Sequence, residues 1–239
     1  LKKGKEILNI VNSISELDIS FMVANQALSR NYVCPKMLDE KRLEIVHTNK
    51  IVEGKDSALA AAKRGKDTSL WLAVESLKKD EAHAIVSAGN TGALFLISKL
   101  NLSMIKNIDK PALSALWPSQ KGMNVVLDLG ANIDCSSKNL IDFSIMGSAL
   151  LKALFDNVKP KVALLNIGSE ELKGNATIKD TYQILSNEKY SLFDFEGYIE
   201  GNHIMDGDVN VIVADGFTGN IALKTAEGTS NFIIGELKK

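Results

Sequence analysis

Short runs of β-branched and aliphatic residues alternate along this chain with longer stretches whose apolar positions recur every three or four residues. The first pattern predicts buried strands and the second amphipathic helices. Ile7, Leu8, Ile10, Val11, Ile14 and Leu17 predict a helix over residues 2–16, followed by a strand at Asp18–Ala24. A polar piece around Asn31–Glu40, carrying Pro35, reads as a surface helix or loop, and Leu43–Val46 as a short strand. Asp56 is placed to cap an alanine-rich helix at Ser57–Arg64. After a break at Gly65-Lys66, Asp67 or Thr68 is placed to cap a second helix running to Lys79. Ala84–Val86 predicts a strand leading into a helix at Leu94–Leu100, and Lys110-Pro111 and Trp117-Pro118 punctuate the next crossing. Val125–Leu129 is the central strand. Leu140, Phe143, Met146, Leu150 and Leu154 then mark a helix from Lys138 to Phe155. A strand at Lys161–Leu165, a helix to about Glu188 opened by a capping-box-like Thr177–Asp180, a weaker strand at Phe193–Glu200, a strong one at Val209–Ala214 and a helix through Glu227 complete the series. Strands alternating with helices predict a three-layer α/β fold on a mainly parallel sheet.

Four of the predicted strands end in loops of one character: Ser87–Gly92, Leu129–Asp134, Asn166–Asn175 and Asp215–Asn220. Each joins glycine to Asn, Thr, Ser or Asp, and three lead promptly into a helix. In open α/β sheets ligands sit at the carboxyl ends of strands. Backbone N–H groups at helix starts, helped by Asn and Thr side chains, suit a phosphate or another anion. Glycine and Asx residues also simply make turns. Four such loops on one crest favour a binding site over four coincidental turns.

Composition narrows the classes. The chain has 239 residues, with 45% hydrophobic and 24% charged, and a net charge of −1, which removes a broad electrostatic case for nucleic acid. Its two cysteines, Cys34 and Cys135, suggest a reducing compartment rather than a disulfide framework. No apolar run approaches the ~18–20 residues that span a bilayer. The chain does not begin with Met, so an absent amino-terminal piece is expected. The whole of 1–239 reads as one α/β catalytic domain, with a lobe boundary considered near residues 156–160.

The usual catalytic signatures are missing. There is no G-x-x-x-x-G-K-[ST], no G-x-G-x-x-G opening the first βαβ unit, and no G-x-S-x-G elbow. His47, His83 and His203 lie at strand ends or in a polar turn and are read as non-catalytic. Cys135 adjoins the central loop, where a small packing residue is favoured over a nucleophile. Asp128, Asp134, Glu170 and Asp215 are the carboxylates from which a divalent-metal cluster would be built, but carboxylates at strand ends also cap helices, and neither metal nor cofactor is expected.

Four motifs, Ser87-Ala-Gly-Asn-Thr-Gly-Ala93, Leu127-Asp-Leu-Gly-Ala-Asn-Ile-Asp-Cys135, Leu165-Asn-Ile-Gly-Ser-Glu170 with Lys173-Gly-Asn175, and Asp215-Gly-Phe-Thr-Gly-Asn220, closely resemble those of the PlsX-type phosphate acyltransferases. Lys110-Pro111-Ala112 and Ile145-Met146-Gly147 fit as well, and order and spacing match from about Val52 to Gly228. The resemblance implies an acyl-[acyl carrier protein]:phosphate acyltransferase that makes acyl phosphate for bacterial phospholipid synthesis. It implies a fold like phosphotransacetylase and the isocitrate/isopropylmalate dehydrogenases. It also implies a cytoplasmic homodimer associated peripherally with the membrane, with acyl carrier protein, inorganic phosphate and a downstream glycerol-phosphate acyltransferase as partners. The family's opening strand with its Asp-Ala-Met-Gly-Gly-Asp motif has no counterpart here, and its later helices are also absent, so the chain reads as a fragment.

Phosphate attacking a thioester needs an anion cradle, donors for the developing oxyanion and exclusion of water, but no enzyme nucleophile. On motif position and loop chemistry, Asn132, Asp134, Lys173, Asp215 and Asn220 are the catalytic candidates. Ser87, Asn90, Thr91, Gly92, Asn175 and Thr218, again with Lys173, are the phosphate-binding candidates. Asp134 and Asp215 would orient the donors. Lys173 is the one cation within the four motif cores. The alternatives are a phosphotransacetylase-like transferase using coenzyme A thioesters and a non-catalytic platform recruiting acyl carrier protein. A β-decarboxylating dehydrogenase is disfavoured because metal and nicotinamide motifs are lacking.

Overall fold

The structure is a computed structural model describing residues 46–238. The helix expected at 2–16, the strand at Asp18–Ala24, the Asn31–Glu40 piece and all but the last residue of Leu43–Val46 lie outside that range. The chain divides between Ser103 and Met104 into two compact units. The 156–160 connection, considered as a lobe boundary, lies inside the second unit.

The described part of the first unit is helical. It contains α1 (Ala58–Lys63), α2 (Ser69–Lys78) and α3 (Thr91–Asn101), packed around Ala61, Leu70, Val74, Ala93 and Ile97. Each helix starts on a side-chain cap. The Ser57 side chain accepts from Ala60 N–H, Thr68 from Trp71 N–H and Asn90 from Ala93 N–H. Asp56, expected as the cap of α1, instead accepts from Glu53 N–H and from the Arg64 guanidinium. The run Ala84–Val86, expected as a strand, pairs with no other strand among the described residues, and a strand of three residues depends on such a neighbour. Among the described residues, three of the four motif loops leave strands of one sheet, and Ser87–Gly92 belongs to the other unit.

The second unit is a five-stranded sheet of β1 (Ser114–Ser119), β2 (Gly122–Leu127), β3 (Lys161–Asn166), β4 (Asp194–Glu200) and β5 (Val211–Val213), in the order β1-β2-β5-β3-β4. β1 pairs antiparallel with β2, and every other pairing is parallel. Three helices cover it: α4 (Ser137–Leu154), α5 (Ala176–Asn187) and α6 (Gly216–Leu237). The period-two alternation of the central strands sorts the core into two clusters. Val125, Leu127, Val162, Leu164, Val211 and Val213 join Phe143, Leu151, Ile178 and Leu185 of α4 and α5. Val126, Ala163, Leu165 and Ile212 turn the other way, with Trp117 and the α6 residues Ala222, Leu223 and Ala226. This is the three-layer arrangement that the sequence pattern predicts. Each fully buried large side chain contributes about 1.5–3 kcal/mol relative to exposure.

Two details depart from expectation. Pro118 sits within strand β1 rather than ending an element. β1 is an edge strand, where a residue without an N–H costs no ladder bond on its open side. The capping residue of α5 is Asn175, whose side chain accepts from Ile178 N–H, and Thr177 lies inside the helix. A Cβ at Gly147 of α4 would come within 2.7 Å of Val211 and 2.8 Å of Leu127, so glycine lets that helix lie close on the sheet.

Candidate active site

The loops after β2, β5 and β3 leave adjacent strands at their carboxyl ends. The first is built on Asp128, which is fully buried. Its Oδ1 accepts from the N–H groups of Leu113 at 3.0 Å, Gly130 at 3.3 Å and Ala131 at 3.0 Å. Its Oδ2 accepts from Asn132 N–H at 2.8 Å and Asn132 Nδ2 at 2.7 Å. The carboxylate thus templates the turn, as an anion surrounded by N–H donors can in a site closed to water. Gly130, at φ 127°, supplies the left-handed residue that this turn requires.

The start of α6 is pressed into that loop. Gly216 donates its N–H to Asn132 O at 2.8 Å, and a Cβ there would lie 2.6 Å from the same oxygen. A Cβ on Gly219 would lie 1.9 Å from Asp128 O, closer than any atom can sit. The two glycines of Asp-Gly-Phe-Thr-Gly are therefore contact residues. Asp215 caps α6, accepting from Thr218 N–H and Thr218 Oγ1, each at 2.8 Å. After β3, Asn166 Nδ2 donates to Gly168 O and Lys173 O, closing the loop that ends in the Asn175 cap.

Between these elements lies a cleft of about 310 Å³, lined by Ile133, Asp134, Cys135, Leu140, Asn175, Thr177, Ile178, Asp215, Phe217 and Thr218. Of the candidates, it brings together Asp134, Asn175, Asp215 and Thr218. Asn132 lies behind its wall, with both amide hydrogens engaged, one by Asp128 and one by Pro111 O at 2.7 Å. The Thr218 hydroxyl proton is likewise committed to Asp215. Asn220 is exposed beside Gly130 and makes no side-chain hydrogen bond with described residues. Lys173 is exposed, its ammonium 4.0 Å from Glu170. The backbone N–H groups of Ala176, Thr177 and Phe217, in the first turns of α5 and α6, find no acceptor among the described residues.

Ser87, Asn90, Thr91 and Gly92 belong to the first unit. There Ser87 Oγ accepts from Gly89 N–H, and Asn90 both caps α3 and donates to Gly54 O and Asp56 O. Thr91 and Gly92 are exposed at the start of α3. Both Asn90 amide hydrogens thus hold that loop to the turn before α1.

Cys135 is half-buried, its thiol 3.5 Å from Asn132 O, and burial pushes its pKa up, which disfavours the thiolate that a nucleophile needs. Among the described residues no group of three or more His, Cys, Asp or Glu side chains is arranged so as to hold a metal ion, and Asp128 turns its oxygens to N–H donors. His203 stands apart, paired with Asp206 at 2.6 Å, which raises its pKa. The structure adds a residue of the matching motifs that is not among the site candidates. Lys110 donates to Asp134 O at 2.8 Å, on the wall of the cleft.

A model of the family described as fatty acid synthesis protein matches residues 5–239. The chain belongs to that family. Relatives named phosphate acyltransferase include one from Pelagibacter ubique, 66% identical over 88% of this chain and 62% of its own length. One from Maricaulis maris is 48% identical over 80% of this chain and 54% of its own. One from Phenylobacterium zucineum is 45% identical over 83% and 56%. The chain thus spans little more than half the length of the curated relatives that it matches. Among solved structures, the EutD phosphotransacetylase from Staphylococcus aureus superposes with a TM-score of 0.50 at 16% identity, covering 74% of this chain and 60% of that one. That likeness concerns the fold, and it agrees with the phosphotransacetylase-like architecture that the sequence motifs imply. No helix among the described residues is long and apolar enough to cross a membrane.

Proposed function

We propose that the protein of which this chain forms part transfers a fatty acyl group from an acyl carrier protein thioester to inorganic phosphate, giving acyl phosphate for phospholipid synthesis. The observation that carries this reading is the cleft at the paired starts of α5 and α6. Its N–H groups at Thr177 and Phe217 and the amide of Asn175, unpartnered among the described residues, are suited to receive an oxyanion. The relatives' name supplies the reaction class.

In the proposed step a phosphate oxygen attacks the thioester carbonyl carbon, the C–S bond breaks, and the carrier leaves as a thiolate that takes up a proton. No enzyme nucleophile is needed, in keeping with a Cys135 held as a thiol. Asp128, Asn132 and Asp215 hold the cleft's walls, while Asn175, Asn220 and Lys173 are the candidates with donors to spare. Asp134 presents its carboxylate on the same wall, where it can orient a donor or receive a proton. Ser87, Asn90, Thr91 and Gly92 stay in the proposal as a second donor cluster, resting on motif position. A homodimer, peripheral membrane association and delivery to a glycerol-phosphate acyltransferase rest on the family resemblance.

Full-length protein incubated with a long-chain acyl carrier protein should release free carrier thiol only when phosphate is present, with acyl phosphate as the co-product. Equal release without phosphate would mean hydrolysis and would overturn the reading. Turnover of acyl-coenzyme A in preference to acyl carrier protein would move it to the phosphotransacetylase alternative.

A further inference from the structure

The segment just before β1 is tied to the cleft wall. Lys110 Nζ donates to Asp134 O at 2.8 Å, Asn132 Nδ2 to Pro111 O at 2.7 Å, and Leu113 N–H to Asp128 Oδ1 at 3.0 Å. Leu129 N–H closes the set on Leu113 O at 3.0 Å. Four hydrogen bonds over four residues fix the path of Lys110–Leu113 along the 128–134 loop. Only one of them is spent by the ammonium, and it goes to a neutral carbonyl.

An ammonium has three donors and no acceptor. No carboxylate among the described residues lies within ion-pair distance of Lys110, whereas the loops around it carry Asp134 and Asp215 facing the cleft. A phosphate dianion entering a cleft walled by two carboxylates needs a cation close by. Lys173 is exposed and faces Glu170, which offsets its charge. Lys110 is partly buried, held in place, and lies near enough to the cleft for its charge to act on the Cys135 thiol.

We infer that Lys110 is the cation that binds the attacking inorganic phosphate, with its ammonium held by the backbone carbonyl of Asp134, a residue that lines the cleft. The assignment of the ligand rests on the transferase reading. The strap and the unpaired charge do not. Fixing the ammonium beforehand reduces the side-chain entropy lost when the ligand binds.

The test uses full-length protein with Lys110→Gln and Lys110→Arg. Glutamine can still donate to the Asp134 carbonyl, so it keeps the strap and removes the charge, while arginine keeps both. Thermal melts of each variant establish that it folds. Titration calorimetry with inorganic phosphate alone should show affinity falling roughly 10- to 150-fold in Lys110→Gln, the span of one charge-assisted hydrogen bond, and largely restored in Lys110→Arg. In the coupled assay, KM for phosphate should rise while KM for the acyl carrier protein stays put. Unchanged phosphate affinity in a folded Lys110→Gln overturns the inference, even if the wild type turns over. A rise confined to the acyl-carrier KM does so too, and would place the lysine on the phosphopantetheine phosphate instead. A wild type that binds phosphate through Lys110 yet transfers no acyl group would keep Lys110 as a phosphate-binding cation and remove the transferase reading.

Discussion

Asp128 is the residue on which the site's shape most depends. Its carboxylate collects five N–H donors without exposure to water. Asparagine has the same outline but turns one acceptor oxygen into a donor, so at least two of those five lose their partner. Asp128→Asn should therefore cost about 2–6 kcal/mol of stability, built from losses of about 1–3 kcal/mol for each stranded buried group. Urea unfolding of the pair would read it, and a difference below about 0.5 kcal/mol would mean that water replaces the lost acceptor. Asp128 also shows where sequence reading stops at this scale. Asn90, Asn175 and Asp215 were legible as special positions, and each sits where a loop becomes a helix. An Asx side chain that caps a helix and one that holds a ligand use the same atoms, so residue type alone cannot separate them. Asn175 does one job with its oxygen, and its amide has no partner among the described residues, a distinction that only geometry supplies.

At the scale of elements, α6 holds glycines of two kinds. Gly219 touches the backbone of Asp128, while a Cβ on Gly228 would meet nothing within 4 Å. Gly228→Ala should stabilise the protein by about 0.5–1 kcal/mol through helix propensity alone. Gly219→Ala should destabilise it by at least a few kcal/mol, because the helix must back away from the loop. Thermal melts of the two variants side by side decide the matter, and two shifts of the same sign would refute the contact reading. The strands and helices of the second unit were largely legible, since the alternation at 125–127, 162–165 and 211–213 matches the two faces of the sheet. β1 was not, because Pro118 signals a break unless the strand is known to lie at an edge. Ala84–Val86 reads as a strand yet pairs with none among the described residues: β propensity is realised only through a pairing partner, and a local window cannot see whether one exists.

For the whole molecule, the second half of α6 stands out. Phe232, Ile233, Ile234 and Leu237 are 68%, 50%, 49% and 82% exposed on consecutive turns of one helix. Contiguous apolar surface of this kind marks an interaction site or an aggregation liability. The 239-residue chain on its own should associate as its concentration rises, and Phe232→Ser with Leu237→Ser should suppress this without lowering the melting temperature. Light scattering against concentration is the measurement, and a wild type that stays monomeric throughout would show that this surface tolerates water. The division between Ser103 and Met104 left no mark in the sequence, because neither composition nor a flexible linker changes there.

The close seating of Gly216 and Gly219 against residues 128–132 reaches beyond stability. A loop whose backbone is in contact with a helix backbone, with no side chain between them to yield, has no hinge of its own. That wall of the cleft behaves as an anvil rather than a lid: it can be lost only by local unfolding of loop and helix start together. Any closing motion that would exclude water in the proposed transfer must come from elements facing it.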